Sequence, residues 1–206
     1  PAVLPIPSRK AVELALERIA LGEVETRWSG ALYGGGFRLE DREGLIREVR
    51  ALRTRASPEA LFRSFASLGG ERGWLVWNWA WALRGFLDRL LGGPGLRRGR
   101  RHPTELLPGE AVDFWRVEAV EPPRLLRLRA EMRLPGRAWL EWEAREAEGG
   151  SLLVQTAYFE PKGLTGFLYW WALYPIHRRI FSDLARAIVR EAEAQAEAPP
   201  RGGGAG

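Results

Sequence analysis

Few residues in this 206-residue chain could carry out acid–base or nucleophilic chemistry, and no group of them has a recognised catalytic spacing. The two histidines are His102 and His177, and His177 lies one helical step after Tyr174 in an apolar segment. An imidazole or a phenol in a pocket could transfer a proton or anchor a ligand. His177 and Tyr174 are therefore the catalytic candidates, although a histidine hydrogen-bonded to backbone beside Pro175 explains the same pattern without any reaction.

Such a reaction also needs a carboxylate partner, and the candidates in predicted strands are Asp113, Glu118, Glu141 and Glu143. Side chains alternate between the two faces of a strand, which places Glu141 and Glu143 on the solvent face. Solvated carboxylates are the ordinary explanation for charged residues on strands. The sequence therefore names no complete catalytic group.

The composition also bears on metals and cofactors. Cysteine is absent, so the chain has no disulfide, thiolate nucleophile or cysteine-based zinc site, and two histidines cannot form a metal centre unaided. No Gly-x-Gly-x-x-Gly motif follows a predicted strand, so nothing indicates a nucleotide site on these residues. We predict neither a metal nor a cofactor for this chain.

Arginine supplies all but two of the 31 basic residues, and the formal net charge is +5. The densest cluster lies in residues 92–101 (GGPGLRRGRR) and consists of Arg97, Arg98, Arg100 and Arg101. Guanidinium groups match phosphate oxygens, so this loop could bind an anionic group. A solvated loop, or a loop that docks on another domain, would have the same composition.

Residues 73–86 (GWLVWNWAWALRGF) and 166–181 (GFLYWWALYPIHRRIF) hold six of the ten tryptophans. Their rings recur at helical spacing inside apolar runs, which is unlike the exposed stacking surfaces of nucleic-acid-binding proteins, and we predict no nucleic-acid partner. They could instead line an apolar pocket, although an ordinary core has the same pattern. The predicted ligand-binding residues are Trp77, Trp81, Met132, Trp142, Tyr158, Phe167, Trp170, Tyr174 and His177.

The elements that must position these residues alternate between helix and strand. Residues 46–56 predict a strand, and Ser57 and Pro58 then begin a helix as N-cap and first helical residue. Strands follow at residues 111–120, 124–134, 138–145 and 151–159, joined by short turns that predict an antiparallel meander. The last element is a helix over residues 164–194, which Pro175 should bend or split.

The register of the hairpin within residues 124–145 can be predicted from its alternation. Placing Leu134 opposite Ala138 and Met132 opposite Leu140 keeps the apolar residues on one face and requires a three-residue connection. Arg129 should then lie opposite Glu143 on the solvent face.

Domain boundaries follow from changes in composition. We assign residues 1–44 to an N-terminal helical arm and linker, residues 45–195 to the main domain, and residues 196–206 to a disordered tail. The chain begins with Pro1 rather than Met, which suggests a piece of a longer protein. No targeting signal is evident and the longest apolar stretches are too short to span a membrane, so we expect a cytoplasmic protein for which only peripheral membrane contact is open.

Residues 50–68 (RALRTRASPEALFRSFASL) resemble the opening of the START-like or Bet v 1-like (SRPBCC) superfamily. This resemblance implies an α+β helix-grip fold, in which a curved antiparallel meander wraps a long C-terminal helix around a cavity. Further segments are similar to the uncharacterised domain that follows an NAD(P)-binding domain in atypical short-chain dehydrogenase or epimerase-like proteins: residues 95–101, 113–120, 134–142, 159–164 and 169–181. That likeness implies a nucleotide-binding domain as partner, with residues 1–29 resembling its exit.

Three functional hypotheses remain. The first is a domain that binds a hydrophobic, lipid-like or polyketide-like molecule between sheet and last helix, and holds substrate for a larger NAD(P)-dependent protein. The second is a cyclase- or hydratase-type enzyme that uses His177 or Tyr174, which requires a carboxylate within hydrogen-bonding reach. The third is a structural domain docked on the nucleotide-binding domain, for which exposed tryptophan in an apolar patch above ~600 Å² would be the sign.

Overall fold

The computed structural model describes residues 36–42, 44–90, 92–93, 95, 100, 102 and 105–197. All of them belong to one unit of the chain, residues 34–206. The predicted arm up to residue 35, Arg97, Arg98, Arg101 and the tail from residue 198 lie outside the described residues.

The described residues form a seven-stranded antiparallel sheet of order β1-β2-β7-β6-β5-β4-β3. Strands β3 to β7 are a meander, as the short connections predicted, and β2 pairs with the last strand. The strands are β1 (Gly36–Arg42), β2 (Leu45–Thr54), β3 (Ala111–Val112), β4 (Trp115–Glu121), β5 (Leu125–Ala130), β6 (Gly136–Ala147) and β7 (Gly150–Pro161).

Among the described residues, three α-helices complete the fold: α1 (Pro58–Ala66), α2 (Asn78–Leu90) and α3 (Gly163–Glu197). The predicted N-cap is confirmed, because the Ser57 hydroxyl accepts a hydrogen bond from the backbone N–H of Ala60 at 3.3 Å. Helix α3 is 35 residues long and continues through Pro175. A sheet that grips a long C-terminal helix is the helix-grip α+β fold, so the predicted fold class is confirmed.

The core lies between the inner face of the sheet and helices α1 and α3. Helix α1 packs on α3 and β6, and α3 also packs on β7 and β2. Strand alternation directs the apolar residues of each strand inward, where they meet the apolar stripes of the helices. The largest fully buried side chains are Trp74, Trp142, Tyr158, Phe65, Phe114, Phe159, Leu61, Leu68, Leu126, Leu128, Leu140 and Leu153.

Strand β1 falls within the segment that the sequence analysis assigned to a linker. It pairs with β2 along its whole length, so the sheet begins at Gly36 rather than at residue 45. Phe37 and Leu39 alternate with Arg38 and Glu40, and Leu39 packs against the buried apolar residues around Ile46. The glycines that precede this short alternation concealed it.

The predicted register between β5 and β6 is wrong by four residues. Leu128, rather than Met132, lies opposite Leu140, and Arg129 lies opposite Trp139 rather than Glu143. Strand β5 stops early because backbone donors beyond it bond elsewhere: the Arg133 N–H donates to the buried carboxylate of Asp88 at 2.8 Å. The shift is an even number, so every side chain keeps its predicted face.

Candidate ligand-binding groove

The chamber expected between the sheet and the last helix is nearly full. The space that the described residues enclose there has a volume of about 40 Å³, room for a few water molecules. Aromatic rings occupy the space. The ring centroids of Trp142 and Phe65 lie 6.2 Å apart in a stacked arrangement. The ring centroid of Trp74 lies 6.4 Å from that of Trp142 and 5.0 Å from that of Trp81. The position of a ligand therefore stays a prediction, and the described residues line a larger space elsewhere.

The buried indoles also satisfy their polar N–H groups. Trp142 Nε1 donates to Gln155 Oε1 at 2.9 Å, and the Gln155 amide in turn donates to the Phe181 carbonyl of α3 at 2.9 Å. Trp74 Nε1 donates to Asp113 Oδ2 at 2.6 Å. Since these bonds fix the rings in place, the core is a packed interior rather than a deformable cavity.

A larger space opens beside this core. A groove of about 360 Å³ runs between α2 and the first half of α3, within the size range of small-molecule pockets. Met132 and Leu134 of the β5–β6 connection also line it, and the rest of its apolar wall comes from the two helices: Trp79, Ala80, Trp81, Leu83, Leu87, Leu173, Ile176 and Ile180.

The segment that leads into α2 has an unusual backbone. Leu75 and Trp77 both have positive φ, 60° and 56°, which bulky residues rarely adopt. The Trp77 indole N–H then donates to Asp183 Oδ2 on α3 at 3.0 Å. This bond ties the start of α2 to α3 and helps set the width of the groove.

Arg84 provides the polar contact across the groove. Its Nη2 donates to the Tyr169 hydroxyl at 2.6 Å and its Nε to the Met132 sulfur at 3.1 Å. Arg84 lines both the groove and the 40 Å³ void behind it. Arg133, Asp88 and His177 also line the groove, so a ligand there would meet a few polar groups in a mainly apolar lining.

His177 also borders both spaces. Its ring centroid lies 6.2 Å from that of Trp170 and 5.6 Å from that of Phe181, and its buried Nδ1 has no hydrogen-bond partner within the described part of the chain. Burial, with a smaller effect of the Arg84 charge, lowers the pKa of His177 to about 3. The imidazole is therefore neutral at physiological pH and could accept or donate one hydrogen bond.

Of the nine predicted ligand-binding residues, Trp81, Met132 and His177 line the groove. Trp170 and Tyr158 border the small void. The others lie elsewhere: Trp142 is in the packed core, Trp77 bonds to Asp183, and Phe167 and Tyr174 pack beside Trp170.

The Tyr158 side chain lies on the outer face of the sheet, where its hydroxyl meets a carboxylate. Its hydroxyl donates to Glu141 Oε1 at 3.3 Å on the outer face, where Glu141 also binds Arg127. Burial raises the pKa of Tyr158 well above its usual value, and the Glu141 charge adds to this. Glu141 has the predicted face but is buried rather than solvated.

The carboxylates are used in structural contacts. Within residues 36–197 as described, no hydrogen bond joins a carboxylate to His177 or Tyr174. Asp88 is the carboxylate that lines the groove, and it accepts hydrogen bonds from the backbone N–H groups of Gly95 and Arg133. The geometry offers no acid–base pair in the groove.

Arg100, the described member of the predicted anion-binding loop, also has structural contacts. Its guanidinium donates to the carbonyls of Leu68 and Ala66 at 2.7 and 2.8 Å, which fastens the loop to the end of α1. Anion binding by Arg97, Arg98 and Arg101 stays a prediction.

Sequence reasoning missed the wall of the groove that α2 supplies. Trp79, Leu83 and Leu87 are 65%, 50% and 50% exposed, and Phe86 and Leu90 extend the same exposed stripe. Helix α3 adds exposed Leu164, Leu168, Trp171 and Ile176. The signal was an apolar stripe at helical spacing, which usually indicates a buried face. Among the described helices, none is long and apolar enough to cross a lipid bilayer.

A family model described as "Protein of unknown function (DUF2867)" matches residues 42–184, more than half of the 206 residues. This chain belongs to that family. The matched range contains the groove of this DUF2867 domain, from α2 to Ile180. The comparison with curated proteins found no match.

Several solved structures are similar to the DUF2867 domain. CalU16 from Micromonospora echinospora is 14% identical, with 79% of this chain and 94% of that chain covered and a TM-score of 0.35. The di-domain ARO/CYC StfQ of the steffimycin biosynthetic pathway is 12% identical, with 75% and 52% covered and a TM-score of 0.46. Ara h 8.0201 is 12% identical, with 73% and 99% covered and a TM-score of 0.45. At identities this low, none of them says what this chain binds.

Proposed function

We propose that this domain binds a hydrophobic small molecule in the groove between α2 and α3. The observation that carries the proposal is the groove itself, about 360 Å³ with a mainly apolar lining that includes a few polar residues: Arg84, Asp88, Arg133, Tyr169 and His177. Ligand sites typically combine a large apolar surface with a few convergent polar groups. The groove meets that description, whereas the space under the sheet does not.

The chemistry of the lining narrows the ligand class. Trp79 and Trp81 offer flat faces, and leucine and isoleucine side chains offer aliphatic surface on the opposite helix. Arg84 could donate a hydrogen bond to a carbonyl, phenol or carboxylate at one end of the ligand. A lipid-like or polyketide-like molecule with one oxygen-bearing end fits this arrangement.

We further propose that the domain holds substrate for a larger NAD(P)-dependent protein. The support is the resemblance to domains that follow a nucleotide-binding domain, together with the lack of any nucleotide motif in this chain. In such a protein the nucleotide would bind the other domain, and the groove would present the substrate to it.

A displacement assay with an environment-sensitive fluorescent fatty acid tests the ligand proposal. We expect saturable binding to the wild-type protein and binding at least about tenfold weaker in Leu173→Trp, because a larger ring fills the groove. The matched control is Leu164→Trp, an exposed leucine on the same helix outside the groove. No saturable binding, or equal losses in both variants, would contradict the proposal.

Docking onto a nucleotide-binding domain is the second candidate role. The exposed apolar stripes of α2 and α3, including Trp79 and Trp171, favour it because single domains rarely leave so many large apolar side chains uncovered. Hydrogen exchange on the two-domain protein tests it. We expect slower exchange across residues 78–90 than in the isolated domain, and equal rates would exclude docking there.

A further inference from the structure

A second pocket lies on another face of α3, between the helix and strands β1 and β2. It encloses about 340 Å³, and four arginines line it: Arg50 from β2, and Arg178, Arg179 and Arg186 from α3. Phe37 of β1 and Ser182 of α3 also line this pocket. We call it the arginine pocket. It shares no lining residue with the α2–α3 groove.

The charges of the arginine pocket are unbalanced. Arg50 pairs with Glu48, and Asp183 serves both Arg179 at 3.1 Å and Arg186 at 3.5 Å. Within the described part of the chain, Arg178 has no carboxylate within ion-pair distance. Four guanidinium groups therefore face two carboxylates, which leaves a local net charge of about +2.

Arg50 is the buried member of the set, with 5% of its surface exposed. Its Nη2 donates to Glu48 and to the Arg178 carbonyl at 3.1 Å, while its buried Nη1 has no hydrogen-bond partner among the described residues. Burial lowers the pKa of Arg50 although Glu48 opposes this effect. A buried guanidinium donor without an acceptor is costly to the folded state.

Phe37 helps to hold the cations close together. The guanidinium carbons of Arg50 and Arg178 lie 5.1 and 5.2 Å from its ring centroid, within cation–π range. The aromatic ring therefore stabilises two like charges near each other without neutralising them. In the part of the chain that the structure describes, the exposed Arg178 therefore lies next to the buried Arg50 without an ion-pair partner of its own.

We propose that the arginine pocket binds a phosphate group, either free or as part of a phosphomonoester or lipid headgroup. Guanidinium groups donate paired hydrogen bonds that match phosphate oxygens, and a phosphate dianion would balance the excess of about two positive charges. The Ser182 hydroxyl offers a further donor. The pocket is an independent site and does not rest on ligand binding in the groove.

Two sources of phosphate fit the surroundings. The pocket is open to solvent phosphate esters. The exposed apolar stripe of Leu164, Leu168 and Trp171 lies on the same helix before Pro175, so a phospholipid headgroup could also reach it. The experiment must therefore separate a soluble ligand from a membrane surface.

Calorimetric titration with inorganic phosphate and sedimentation with vesicles of phosphatidic acid in phosphatidylcholine form the two arms. We expect binding in at least one arm, and binding about tenfold weaker in Arg178→Gln than in wild type. The matched control is Arg190→Gln, which removes an exposed arginine of α3 outside the pocket. It should bind as wild type does.

Each outcome decides the proposal. Binding in the phosphate arm alone supports a soluble phosphate ligand, and binding in the vesicle arm alone supports a lipid headgroup, if Arg178→Gln weakens it selectively. Equal losses in Arg178→Gln and Arg190→Gln would indicate attraction by net charge and overturn the proposal, as would binding in neither arm. Arg186→Gln provides a second pocket variant should Arg178→Gln fold poorly.

Discussion

Replacing His177 with glutamine should change how the stability of the protein depends on pH. The ring packs between Trp170 and Phe181, and Arg84 is the charged group of the neighbouring helix that affects it. Its pKa of about 3 in the folded protein lies far below the value of 6.5 expected in the unfolded chain. The folded state therefore keeps the imidazole neutral where the unfolded state would protonate it.

The sign and size follow from proton linkage. Above pH 6.5 His177 is neutral in both states and does not affect the free energy of unfolding. As the pH falls from 6.5 towards 3, only the unfolded state becomes protonated, and the free energy of unfolding decreases progressively. A pH of 5 lies about 1.5 units below the unfolded-state pKa of 6.5. Protonation of His177 in the unfolded chain then lowers the free energy of unfolding by about 2 kcal/mol. Glutamine does not titrate, so His177→Gln should lack this contribution.

Urea unfolding at pH 7.5 and pH 5 measures the effect. Carboxylates titrate in both proteins, so the comparison is the change in the free energy of unfolding of wild type minus that of His177→Gln. We expect wild type to lose about 2 kcal/mol more than the variant. His102→Gln is the control, because His102 lies outside the groove. Equal losses in wild type and His177→Gln would show that His177 titrates normally and that the groove wall is wet.

Two further predictions concern contacts that hold the fold. Ser57→Ala removes the hydroxyl that accepts from Ala60 N–H and should lower the free energy of unfolding by about 1 kcal/mol in urea; no change would mean that solvent replaces the cap. Glu141→Leu leaves the buried Arg127 without its carboxylate partner, to which it donates at 2.5 Å, and should lower the free energy of unfolding by about 3–5 kcal/mol. Adding Arg127→Met should restore most of that free energy. Failure of the double variant to recover would point to the lost Tyr158 bond instead.

The sequence predicted those parts of the fold whose determinants are local. The alternation in β5 and β6, the Ser57 cap and the long final helix all depend on residues within a few positions of one another. The hairpin register depended on a distant residue, because Asp88 of α2 captures the Arg133 N–H and ends β5 early. A one-dimensional pattern fixes the face of each strand but contains no information about that capture.

The candidate site was predictable to a lesser degree for a related reason. Helical spacing drew attention to Trp81 and His177 and strand alternation to Met132, and all three line the groove. It could not distinguish an apolar stripe that is buried from one that is exposed, and so Leu83 and Leu87 went unnoticed. The arginines of the arginine pocket come from β2 and α3, more than 120 residues apart, so no local pattern predicts that they meet. The arginine-rich loop was predicted as an anion site because its arginines are neighbours in the sequence.

The tryptophan content explains why the proposed binding groove lies beside the core. Trp74 and Trp142 fill the volume under the sheet, and each directs its N–H to a buried acceptor, Asp113 or Gln155. A ligand could enter that volume only by displacing hydrogen-bonded indoles, at the cost of cavity formation and unsatisfied polar groups. The groove instead requires no core rearrangement. Its depth is limited by the bond between Arg84 and Tyr169, so a ligand able to replace that bond would gain access to the void behind it.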